Sequence, residues 1–318
     1  MQAKDPSARL MSTQDDNFPA PPPGEPDDEP GESAPPSATS AGGLLAPPPE
    51  ALPSAVLPSR DASLPEDLRT PWSWAYLIVF VLFAFASLVF LDMTFAILAM
   101  IRYHLNLTQL QKLAMTSASW VTARQAVWFG LLMLYLFLMI RVRQGLPFWR
   151  TIGWRKLHPR SLAPGAAAIV YLAGGSALAI AISLASRLVR PNTKLPIEQL
   201  FQSRRGALLI MTLAVLGAPL VEETVFRGYI YPVLARSFGV PLGVLGTGVL
   251  FGLVHAPQLG GAWGVVALLV TVGVVLTYVR ARSGTVLASF LLHLGYNSML
   301  FLAAAVSTGG FRHLPGGS

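Results

Sequence analysis

Between Trp74 and Leu91 the chain carries no charged side chain, and beyond Asp92 the apolar run resumes to Ile101. A membrane-crossing helix needs roughly 20 predominantly apolar residues, so this stretch predicts a first span. Six more follow: Gln125–Ile140 (starting from Trp120 if Arg124 lies near its end), Leu162–Ser186, Gly206–Val221, Val240–His255, Trp263–Val279 and Val286–Val306. The expected fold is all-α, a polytopic transmembrane helix bundle of seven spans. An eighth is added if a long segment is broken or a loop re-enters. The third span contains AGGSALAIA, small residues that let helix backbones approach closely.

The segment before the first span is a different polymer. Residues 1–70 hold 12 of the 16 acidic side chains but 4 of the 23 Lys and Arg, and 16 of the 26 prolines fall by residue 71. Its few aromatics and many Pro, Ser and Gly leave too little apolar surface to offset chain entropy. The tail is therefore expected to be disordered, either a solvated spacer or a docking segment for a partner. A signal peptide is not expected, because the N-terminus is polar and lacks an apolar core. The domain reading is a tail over 1–70, two spans and a basic loop over 71–150, a core over 151–306 and a C-terminal tail over 307–318.

After residue 70 there are 19 basic and 4 acidic side chains. The basic residues bracket apolar runs and form no soluble patch, so the expected partner is the lipid bilayer and not nucleic acid. The connection 141–160 holds six Lys and Arg and no acid, which predicts a cytoplasmic loop and, two spans earlier, a cytoplasmic tail at the plasma membrane. The connection 187–205, with five basic residues and one acid, falls on the outer side in this alternation. A membrane-surface helix over Pro196–Gln202 would account for part of that charge. The absence of cysteine removes disulfides, thiol catalysis and thiolate metal sites.

Ionisable groups in a bilayer are costly, about 2.5–3.5 kcal/mol each on insertion scales, so each requires a reason. The four carboxylates after the tail are Asp92, Glu198, Glu222 and Glu223, and the last two are adjacent in APLVEETVFRGYIYPVL. With a helix start near Arg205, Glu222 lies about 25 Å along the fourth helix, in the half expected to be nearer the cytoplasm. Glu223 and Arg227 are i,i+4 with the acid first, the favourable order for a pair. Glu222 is turned by about 100° from Glu223 and shares a face with Phe226, which leaves it free to act as a base.

Of the five histidines, His104, His158 and His313 fall in loops or the C-terminal tail. His255 ends the fifth span in FGLVHAPQ, one turn after Phe251. His293 lies inside the seventh span in LLHLGYNSM, one turn before Asn297. A structural ion pair between helices, or a helix–helix hydrogen bond from histidine, would explain parts of this set. Neither calls for two glutamates, an arginine, two histidines and an asparagine on three helices. No G-x-S-x-G or H-E-x-x-H run occurs, and Asp92 is the only aspartate after the tail. What remains is a carboxylate that activates water, assisted by imidazole, with donors for an oxyanion.

The motifs EETVFR (Glu222, Glu223, Arg227), FGLVH (Phe251, His255) and HLGYN (His293, Asn297) stand in order on separate apolar runs. In this they resemble the CAAX-protease and bacteriocin-processing (CPBP, abortive-infection) family of intramembrane endopeptidases. The resemblance extends over about residues 150–305, with GWRK at Gly153–Lys156 before the third span. It implies that Glu222 activates water with His255, and that His293 and Asn297 polarise the scissile carbonyl. Glu223 and Arg227, with Phe251, would support the site. The implied substrate is a peptide or a membrane-anchored protein. A metal-free glutamate mechanism is favoured, with no cofactor; zinc held by Glu222, His255 and His293 is the alternative. Two other readings use the same polar cluster: a transporter or ion pathway, and a non-enzymatic membrane scaffold or immunity protein.

Overall fold

A computed structural model describes residues 64–157, 162–189, 200–201 and 203–312, all within one compact unit. The expectations for residues 1–63, His158, Glu198 and His313, and most of Pro196–Gln202, lie outside the described residues. The described elements are helical: α1 (Trp74–Tyr103), α2 (Leu107–Thr116), α3 (Ala118–Arg143), α4 (Phe148–Thr151), α5 (Pro164–Val189), α6 (Arg204–Phe238), α7 (Val240–Val254), α8 (Trp263–Ser283) and α9 (Val286–Ser307). Six of them, α1, α3, α5, α6, α8 and α9, are long and apolar enough to cross a membrane. The large apolar side chains they leave uncovered, such as Phe85 and Phe90 on α1, belong against lipid.

The seven expected spans thus become six long helices and one short one. The run read as a fifth span forms α7, 15 residues or about 22 Å of helix, less than the roughly 30 Å of a hydrocarbon core. It stops at His255, where a 3₁₀ turn over Ala256–Leu259 begins, with Pro257 in its first turn and left-handed Gly260 after it.

The fourth span, expected to begin at Gly206 and run into the glutamates, extends well beyond them. α6 runs on through them to Phe238, so Glu222 lies near the middle of a 35-residue helix. Two π-helical segments interrupt α6, Leu213–Gly217 and Glu223–Ile230. The second carries the acidic pair's partner-forming half, and all eight of its residues are buried. π segments widen the helix and free backbone carbonyls for outside donors. In the first, Ala218 N–H donates to Leu213 O in the i,i+5 register. The next bond in that register would come from Pro219, which has no N–H. The Asn297 amide on α9 donates to the carbonyl left over, Ala214 O, at 2.7 Å.

Close backbone packing joins α9 to α5. A Cβ at Gly175 would stand 1.9 Å from Leu292 O, and one at Gly295 would stand 2.1 Å from Leu172 O. Only glycine fits both positions, and the small-residue run of α5 is what makes this crossing possible. α9 is thereby held with His293 and Asn297 turned towards α6.

The tail boundary at residue 70 also falls inside packed structure. Glu66–Leu68 form a 3₁₀ turn, Leu68 and Trp72 are buried, and Asp67 pairs with buried Arg280 at 2.8 Å. Trp72 stacks on Tyr229 and donates its indole N–H to Tyr229 O at 3.0 Å. The segment 64–72 therefore belongs to the bundle. At the other end of the chain, α9 ends at Ser307 and buried Phe311 follows in a turn.

Candidate active site

Arg227 organises the site from inside α6. Its guanidinium has five N–H donors and no acceptors, so burial requires several oxygen partners. Nη1 donates to Glu223 Oε1 at 2.9 Å, Nη2 to Gly273 O at 2.9 Å, and Nε to Thr277 Oγ at 3.2 Å. Gly273 and Thr277 are on α8, and sequence reasoning did not single them out. The signal was available: one glutamate cannot satisfy a buried guanidinium, and Thr277 is a polar residue inside an apolar run. The face of Phe251 covers the guanidinium at 4.5 Å from ring centroid to carbon, a cation–π contact.

Glu223 is fully buried and its Oε1 accepts a second bond, from His293 Nδ1 at 2.9 Å. An ionised carboxylate only accepts, so Nδ1 carries the proton, and in the neutral ring Nε2 is left with a lone pair. His255 repeats this arrangement with a different partner. Its Nδ1 donates to Phe251 O at 2.7 Å, one turn back on α7, and its Nε2 is likewise an acceptor in the neutral ring.

Both Nε2 atoms face Glu222. His255 Nε2 stands 3.9 Å from Glu222 Oε1, and His293 Nε2 stands 3.8 Å from Glu222 Oε2. Glu222 has 16% of its side-chain surface exposed, against 0% for Glu223. Two lone pairs and a carboxylate therefore converge, with spacings too long for direct hydrogen bonds. A group carrying protons, such as water, suits the space between them. Phe251 fills the gap between the rings, 4.8 Å from the His255 centroid and 5.8 Å from that of His293.

These residues form the floor of a cavity of about 570 Å³, walled by apolar side chains including Val121, Phe129, Leu213 and Leu269. Asn297 lines it, as do Ala114 and Met115 of α2, Leu200 and, near the Asp92 ion pair, Arg124. Those elements lie at the end of the bundle away from the 141–157 connection, which packs against Thr285 and Val286. Access to Glu222 is therefore from the end of the bundle opposite the 141–157 connection.

The sequence-derived residues Glu222, Glu223, Arg227, Phe251, His255 and His293 are brought into one connected cluster, and Asn297 lines the same cavity. Two imidazole lone pairs and a carboxylate are the kind of donors that ligate zinc. Among the described residues, however, no three His, Asp or Glu groups are placed to hold a metal ion.

An integral membrane protein with a carboxylate–imidazole cluster inside its helix bundle is the class that this fold and site define. Residues 204–299 match the family model described as type II CAAX prenyl endopeptidase, Rce1-like. That stretch contains every motif residue from Glu222 to Asn297, so the resemblance to the CAAX-protease family holds over α6–α9. No curated protein and no solved structure matches the chain.

Proposed function

We propose that the chain is a CAAX-type intramembrane endopeptidase, with its protease core in residues 151–306, that hydrolyses peptide bonds through a water activated by Glu222. The observation that carries this reading is the convergence of the Glu222 carboxylate and two imidazole Nε2 atoms at the floor of an apolar cavity. A water there donates one proton to Glu222 and the other to His255 Nε2, which aims an oxygen lone pair at a substrate carbonyl. As the C–O bond forms, Glu222 takes the first proton. It then delivers that proton to the amide nitrogen as the C–N bond breaks.

The tetrahedral oxyanion needs donors. Asn297 has one amide proton on Ala214 O and a second to offer. His293 donates there only as the doubly protonated ring, with Glu223 accepting from its Nδ1. Glu223 and Arg227 hold the cluster together and touch no substrate. No step passes through a metal or cofactor. The substrate is a peptide or membrane-anchored protein whose scissile segment enters from the bilayer or its surface. The protein is assigned to the plasma membrane with the 141–160 connection and the N-terminal tail in the cytoplasm, which places the cavity mouth on the opposite side.

Terminal-peptide mass spectrometry of membranes carrying the wild type or Glu222→Gln tests the activity. New peptide termini that depend on Glu222 are expected. Gradient-coupled ion flux in proteoliposomes without new termini would replace this reading with a transport function.

A further inference from the structure

A second pocket lies at the end of the bundle away from the catalytic cavity. It encloses about 510 Å³ between the 66–71 segment, residues 146–155 and Arg236. Its walls carry Arg69, Arg150, Arg155 and Arg236 and the carboxylates of Glu66 and Asp67. Both acids are engaged: Asp67 with buried Arg280 at 2.8 Å, and Glu66 with Arg155 Nη1 at 3.2 Å. Arg236 donates to the carbonyls of Thr70 and Trp72, which holds its charge rigidly at the wall.

Two donors remain. The Nε of Arg155 is buried without a hydrogen-bond partner. Arg150 is exposed on α4, and its guanidinium makes no hydrogen bond or ion pair with the described residues. Nearby, Trp74 and Trp149 are 40% and 50% exposed, at the start of α1 and on α4. Tryptophans at helix ends mark the headgroup level of a bilayer. A planar guanidinium matches phosphate oxygens in a two-pronged geometry, and basic recesses between membrane helices at this depth suit anionic headgroups.

We propose that this pocket binds a phosphate group, that of an anionic phospholipid, with Arg150 and Arg155 as its ligands. The bound headgroup would bridge the 66–71 segment and α4. Through Trp72 on Tyr229, that segment packs on the helix that carries Glu222. The site is independent of the proposed hydrolysis and is tested without it.

Full-length protein in detergent, titrated with phosphatidylglycerol or phosphatidylcholine, is read by native mass spectrometry and by melting temperature. Inorganic phosphate forms a third arm. The wild type is expected to retain phosphatidylglycerol over phosphatidylcholine and to melt higher with it. Loss of one arginine is expected to weaken retention about fivefold, in Arg150→Gln and in Arg155→Gln. Arg150→Gln is the decisive variant, since Arg155→Gln also breaks the Glu66 pair. Arg102→Gln, at the opposite end of α1, should behave as wild type. Equal stabilisation by inorganic phosphate, lost in Arg150→Gln, would support the phosphate site and make free phosphate its source. Equal phosphatidylglycerol retention by Arg150→Gln and Arg102→Gln would overturn the proposal.

Discussion

His293 Nδ1 and Glu223 Oε1 stand 2.9 Å apart, a fully buried bond between the last helix and the centre of α6. It separates the two adjacent glutamates by task. Glu223 is bound to Arg227 and His293 and sealed from the cavity, whereas Glu222 faces the cavity and the two imidazole Nε2 atoms.

Removing Glu223 should therefore damage the fold. In Glu223→Ala the Arg227 guanidinium stays buried without its counter-charge, a change that costs about 3–5 kcal/mol. Thermal unfolding in detergent should show a large loss of melting temperature for Glu223→Ala and little for Glu222→Gln. Equal melting of the two variants would contradict this division.

The α5–α9 crossing supports the same histidine. Gly295→Ala would push a methyl group against the Leu172 carbonyl, at about 1–3 kcal/mol for an overpacked contact. Gly165→Ala, with open space around it, is the matched control on α5 and should be close to neutral. Melting curves of the two variants compare them directly.

Much of this was legible in the sequence, and the reasons differ by level. Apolar run length made the long helices readable, and the i,i+4 spacing placed Glu223 on Arg227. The run Val240–His255 matches a helix to within one residue, and Pro257 and Gly260 are the local signs of its end. How far α6 continues past Arg227 was not legible, because its buried charges are satisfied by partners on α8 and α9 that hydropathy does not count. Thr277 stood out only as a polar residue in an apolar run, and its pairing with Arg227, like that of Gly273, depends on a contact between helices. Trp72 was obscured by the Pro-rich composition just before it.

Orientation is open to a clean test, because the chain has no cysteine of its own. A single cysteine at Leu107, exposed at the cavity end of the bundle, should react with a membrane-impermeant maleimide on intact cells. A cysteine at Arg150 should react only after permeabilisation. The reverse pattern would place the cavity mouth in the cytoplasm.

The metal-free route has its own consequence. Cleavage by purified protein should survive treatment with a zinc chelator, and metal analysis should show no stoichiometric zinc. Loss of cleavage on chelation, restored by added zinc, would instead make Glu222, His255 and His293 ligands.

The central claim is that Glu222 is the base, and the cleavage rate of a validated substrate by purified Glu222→Gln protein in lipid vesicles tests it most directly. General-base loss predicts a rate about 10²–10⁴-fold below wild type, with melting temperature unchanged. A wild-type rate from the folded Glu222→Gln variant would contradict the account.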